Sequence, residues 1–239
     1  LQDEKFYDRV KDLLIWKNSD DQWTTVSEYL ERSSEKKVFY TTFAHASPLL
    51  NLYREKKIEI LFATTPVDTA VIQFLEEKLA TTFQRIDGAC PENLLDPSKE
   101  KSLLDADGRS ESAKIADFIR SSLNETDLEI EAKSLASDQL PALLLIDENQ
   151  RRMRDYIALT QGKSASFFKA KKTFVVNTNS KLIQAITKIS PKQPEIAKEM
   201  AQSVYDLSLL AQREVEPGDL DRVLSQKTKI LEKLGALIP

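Results

Sequence analysis

Apolar residues recur along this chain at two spacings, three-four and alternating, and the switches between them mark its elements. Phe6, Val10, Leu13 and Leu14 fall on one helical face and predict a helix at the start. Thr25 and Glu28 have the spacing of a capping box, in which hydroxyl and carboxylate each accept the other residue's backbone N–H, and they predict a helix to about Arg32. Val38 to Phe43, β-branched and aromatic, reads as a strand. Ser47 and Pro48 mark the next helix start, with Leu49, Leu52 and Tyr53 inward. Ile58 to Ala63 predicts a second strand, apolar enough to be covered on both faces. Thr65, Pro66 and Asp68 open a further helix carrying Val71, Ile72, Phe74 and Leu75, before a third strand near Thr82 to Ile86. Strand and helix alternating with short joints imply a small parallel sheet built of βαβ units.

The rhythm breaks between Cys90 and Arg109, where two prolines, a glycine and many charges suggest a tether with a short helix. Beyond it the pattern predicts a helix with Ile115, Phe118 and Ile119, strands Leu128 to Lys133 and Ala142 to Ile146, and a basic amphipathic segment from Gln150 to Lys172. A strand at Thr173 to Val176, a helix at Lys181 to Ile189 and two long helices between Glu195 and Leu237, joined near Pro217 and Gly218, complete the chain. The expected fold class is therefore α/β plus α+β. A small parallel-sheet αβα domain over residues 1–108 is followed by a mixed α+β domain over 109–239 that ends in a two-helix hairpin.

Composition narrows the chemistry. The 239 residues hold 34 basic and 38 acidic side chains, a net charge of −4, so no global attraction to nucleic acid or an anionic membrane is expected. One cysteine, Cys90, leaves no internal disulfide, which fits a cytoplasmic protein, and one histidine, His45, leaves no histidine-rich metal site. No apolar run reaches the roughly 18 residues of a spanning helix. The first residue is Leu1, so a longer parent protein is expected. The five glycines are too scattered for a phosphate-cradling loop, so no nucleotide cofactor is expected here. An enzymatic alternative stays open at the carboxyl edge of the parallel sheet, where Asp68 and His45 would supply the titrating groups. Against it, an acid in a helix's first turn ordinarily serves the cap and the macrodipole.

Two segments invite a binding role. Between Arg151 and Lys172 stand Arg151, Arg152, Arg154, Lys163, Lys169, Lys171 and Lys172 against the single acid Asp155. Within it Met153, Tyr156 and Ile157 form an apolar stripe, with Phe167 and Phe168 beyond. The stripe either packs on its own domain or offers an adaptable surface to another protein, kept soluble by the flanking arginines. In the terminal hairpin Met200, Val204, Leu207 and Ala211, and then Leu220, Leu224, Leu231 and Leu234, repeat at helical spacing. A hairpin has little core of its own, so this face either docks on the same chain or forms a four-helix bundle with a second copy.

The strings TVSEYLER, KKVFYTT and SPLLNLYREKKIEILFATTPVD, which begin at Thr25, together with DENQRRMRDYIALTQG, the Lys171 to Phe174 strand entry and NTNSKLIQAI, resemble in order the heat shock protein 90 family, in its bacterial form. The resemblance covers nearly the whole chain. It implies the C-terminal part of the middle segment followed by the dimerisation domain of an ATP-dependent chaperone. It also implies that ATP and magnesium belong to a preceding domain, so that the present chain is not itself an enzyme. By the same resemblance, partly folded clients would touch Met153, Tyr156 and Ile157 on one helix and Thr69, Ala70 and Gln73 on another. Relatives often carry an acid and an aromatic where Thr69 and Ala70 stand. The hairpin residues would form a homodimer. The chain ends in Leu237, Ile238 and Pro239, without the acidic tail that recruits helical-repeat cochaperones.

Overall fold

A computed structural model describes residues 4–33, 35–43, 47–65, 67–90, 92–96, 98, 110–123, 125, 127–161, 171–212, 214–215 and 217–235. His45, the expected boundary near Gly108, and the pair Phe167 and Phe168 lie outside the described residues. The chain forms two compact units, one of residues Leu1–Pro91 with Ile146–Ala170, the other of Glu92–Leu145 with Lys171–Pro239.

The first unit opens with helix α1 (Glu4–Val10), a 3-10 turn at Lys11–Leu13 and an antiparallel ribbon of β1 (Ile15–Lys17) and β2 (Trp23–Thr25). That ribbon lies between the first two helices that the apolar spacing predicts, in a stretch to which it gives no element. Its turn is closed by Asn18, whose Oδ1 accepts the backbone N–H groups of Asp20 and Gln22 at 3.0 and 2.9 Å. Helix α2 (Val26–Arg32) starts on the expected capping box, with Thr25 and Glu28 bonded reciprocally. Strands β3 (Lys37–Thr41), β4 (Leu61–Phe62) and β5 (Thr82–Arg85) form a parallel sheet in the order β4-β3-β5, with helices α3 (Pro48–Glu55) and α4 (Asp68–Leu79) as the crossovers.

Because the second crossover runs back past β3, right-handed connections place α3 and α4 on opposite faces. The side chains agree. Val38, Tyr40 and Phe83 pack with Val26, Tyr29, Val71, Ile72 and Leu75, whereas Phe39 meets Tyr53 of α3 edge-on with ring centres 5.4 Å apart. The N-terminal half of the expected strand 58–63 is irregular. There Ile60 N–H donates to Ser19 Oγ, and its carbonyl accepts Ser19 N–H. Helix α6 (Glu148–Gln161) completes this unit.

The second unit carries β6 (Leu128–Lys133), β7 (Ala142–Ile146) and β8 (Lys172–Asn177) in the order β6-β8-β7, with β6 and β8 parallel. One face packs on α5 (Glu111–Ser122), α7 (Lys181–Ile189) and α8 (Pro194–Ala211). The core joins Ile115, Ile119, Leu144, Phe174, Ile183, Ile186, Ala201 and Tyr205, with Phe174 and Tyr205 edge-to-face. A 3-10 turn at Pro217–Asp219 leads into α9 (Leu220–Gly235), so the expected hairpin is present. Mixed α/β content with small sheets follows in both units. Among the described residues no helix is long and apolar enough to cross a membrane.

Candidate functional site

Helix α6 (Glu148–Gln161) begins where Asp147 Oδ1 accepts Gln150 N–H at 2.9 Å, and Glu148 places an acid in the first turn. Its basic residues do not point to water as the sequence suggests. Arg151 is only 2% exposed and its Nη1 pairs with Asp87 Oδ1, the oxygen that also faces Arg85 Nε at 2.9 Å. Arg152 Nε donates to Glu148 Oε1 at 2.9 Å. Its Nη1 and Nη2 grip Glu76 of α4 at 2.6 and 3.3 Å, and Nη2 also reaches the Phe83 carbonyl at 3.3 Å. Glu148 accepts the Tyr40 hydroxyl as well. Burial, helped by the Glu148 charge, pushes the Tyr40 phenol above its ordinary pKa and keeps it the donor. For Arg152 burial acts the other way, but Glu76, Tyr40 and Glu148 outweigh it and hold the guanidinium above its ordinary value. Arg85, beneath Phe43 with its guanidinium carbon 5.2 Å from the ring centre, is lowered by burial against the pull of Asp87.

The outcome is a helix turned inside out. Arg151 and Arg152 are drawn inward by Asp87, Glu76 and Glu148, while Met153 and Tyr156 stand 51% and 64% exposed. Ile157 is half-buried. On α4, Thr69 is half-buried and Ala70 and Gln73 are exposed. The structure thus brings both expected client-contact groups into one compact unit. Sequence reasoning missed the acids that orient α6, although the excess of arginine over acid in the segment was itself a sign that partners had to come from elsewhere.

The hairpin residues divide. Val204 lies in the core of its own unit and Met200 packs against that core. Leu207, Ala211 and Leu220 are exposed, and Leu224 and Leu231 are 52% and 68% exposed, four and eleven residues on from Leu220 and so on one face of α9. The side chain of Leu234 lies outside the described residues. Helices α8 and α9 are tied by Lys227 to the buried Asp206 and by Lys233 to Glu199. Val223 is the buried residue that turns α9 onto its unit.

The carboxylate of the enzymatic alternative is engaged. Asp68 Oδ2 accepts Thr65 N–H at 2.7 Å and Oδ1 accepts the Trp16 indole N–H at 3.1 Å, so the side chain closes the start of α4 and anchors the ribbon. The enzymatic reading is not favoured. Among the described residues no cluster of three or more His, Cys, Asp or Glu is arranged to hold a metal ion.

The sequence model of the family described as Hsp90 protein matches residues 1–219, which runs through both units. The chain is 27% identical over 238 residues to the Chaperone protein HtpG of Psychrobacter cryohalolentis, a match covering 95% of this chain and 34% of that one. It is 28% identical over 220 residues to the Chaperone protein HtpG of Bdellovibrio bacteriovorus, covering 86% and 34%. It is 21% identical over 227 residues to Heat shock protein 90-5, chloroplastic, of Arabidopsis thaliana, covering 88% and 28%. The chain therefore spans about a third of the length of these curated relatives. With a family match across both units, and with relatives aligned over most of its length, the chain belongs to the Hsp90 protein family and is similar to its HtpG-type chaperones.

Proposed function

We propose that this chain serves a chaperone by holding partly folded proteins on the outer faces of α6 and α4 and by pairing with a second copy through the α8–α9 hairpin. The names of the relatives support the chaperone role. The observation that carries the contact surface is the inverted orientation of α6. A helix left to the hydrophobic effect turns its apolar stripe inward. Here three carboxylates hold the arginine side down and leave Met153 and Tyr156 in water. Exposed large apolar side chains in one place invite aggregation unless a partner uses them. Methionine and tyrosine suit a partner of variable sequence, because the thioether adapts its shape and the phenol offers both apolar area and a polar tip.

The same geometry argues against nucleic-acid binding by the basic run. Arg151, Arg152, Lys171 and Lys172 each have a carboxylate partner, so much of the basic run is already neutralised. Replacing Met153 and Tyr156 by serine should weaken binding of a permanently unfolded protein, such as reduced, carboxymethylated lactalbumin, by about 1 to 3 kcal/mol. The thermal midpoint should hardly move, since neither side chain fills the core. Fluorescence anisotropy alongside a melting curve checks both. Binding intact with a large loss of stability would instead show a core stripe.

A further inference from the structure

We propose that Arg152 is the positioning residue that makes α4 and α6 one continuous contact surface. The inference rests on the chaperone reading above and names how its two halves are aligned. On α4, Thr69, Gln73 and Glu76 follow one another at i, i+4 and i+7, a single stripe of the helix. On α6, Arg152 and Tyr156 are i and i+4, with Met153 beside them. The two stripes meet where the guanidinium grips both oxygens of Glu76, at 2.6 and 3.3 Å.

That grip is directional. The remaining edge of the guanidinium, Nε, is taken by Glu148 at 2.9 Å, so the plane of the group is fixed by one carboxylate on each helix. Glu148 in turn accepts the Tyr40 hydroxyl on that same oxygen, Oε1, while its Oε2 lies so near Gly88 that a Cβ added there would come within 3.2 Å of it. Arg151 and Asp87 seat α6 on the unit nearly without exposure, through the residue pair at the end of β5. Arg152 is a residue whose bonds join helix to helix. A lysine in its place keeps the charge, yet a single ammonium cannot hold two carboxylates in one plane.

The experiment uses the full chain and reduced, carboxymethylated lactalbumin as probe. With Cys90→Ser as background and an excess of unlabelled chain to leave one labelled copy per dimer, spin labels at Gln73→Cys and Tyr156→Cys should give one narrow distance distribution. Arg152→Lys should broaden it. In label-free protein Arg152→Lys should weaken probe binding about tenfold, with the melting curve still cooperative. Gln73→Ala should weaken binding in the parent and have little further effect in Arg152→Lys, because the probe no longer spans both helices. If Arg152→Lys unfolds the unit, Glu76→Gln tests the same joint from α4, with the same expected results. An unchanged distance and affinity in these variants, while Met153→Ser with Tyr156→Ser abolishes binding, overturns the role of Arg152 and leaves the chaperone reading intact. Full binding by Met153→Ser with Tyr156→Ser removes the reading on which it rests.

Discussion

The phenol of Tyr29 donates to the Glu59 carbonyl at 2.9 Å and accepts the Phe39 N–H at 3.2 Å, which ties α2 to the central strand β3 and to the segment that enters β4. Burial pushes its pKa up to about 12, with the Phe39 N–H pulling the other way and the Glu59 charge adding to the rise. In the unfolded chain a tyrosine ionises near 10, so the folded state holds this proton more tightly. The stability it lends is whole below pH about 10 and is lost as pH climbs towards 12, on the order of 2 to 3 kcal/mol for this group. Urea midpoints at pH 8 and 11.5 should therefore differ markedly, and Tyr29→Phe should be less stable at pH 8 but fall less over that range. Tyr40, Tyr53 and Tyr205 are raised by burial in the same direction, so the variant flattens the slope without abolishing it. Asn177 shows a different kind of single-residue control. Fully buried, it accepts from Leu135 and Asn179 N–H and donates to the Ser137 and Leu140 carbonyls, fixing the loop that enters β7.

At the scale of elements, α6 is oriented by charge. Asp87 sits between Arg85 and Arg151 with almost no exposure, so Asp87→Asn would leave two buried guanidiniums without their counter-charge. A loss of about 3 to 5 kcal/mol is expected by urea unfolding, the cost of breaking rather than replacing a buried pair. Most elements were legible beforehand because their signals are local. The capping box at Thr25 and Glu28, the Ser47–Pro48 start, the alternation of β6 and the apolar runs of β7 and β8 each lie within a few residues of what they specify. The β1–β2 ribbon was not, since strands of three residues are too short for an alternating pattern to outweigh the helical spacing of Leu13 and Leu14. The facing of α6 was not legible either. Periodicity finds the stripe at Met153, Tyr156 and Ile157 but says nothing of which side is covered, and the deciding acids lie 64 and 76 residues away in sequence.

For the molecule as a whole, the exposed stripe Leu220, Leu224 and Leu231 on α9, with Leu207 on α8, is the feature that calls for a second copy. Light scattering of the unaltered chain at tens of micromolar should give the mass of a dimer, and Leu224→Asp with Leu231→Asp should give folded monomers. A monomeric parent would mean that the leucines are left to water. The composition of the first unit from two separate stretches of chain carries a consequence for its birth. Asp87 leaves the ribosome 64 residues ahead of Arg151, and Glu76 leads Arg152 by 76. At 5 to 20 residues per second the first gap alone is a wait of roughly 3 to 13 s. Throughout it the three-stranded sheet has its sequence in hand while the acids of its rim face no helix. The surface proposed to receive unfinished proteins is thus the last part of its own unit to be finished.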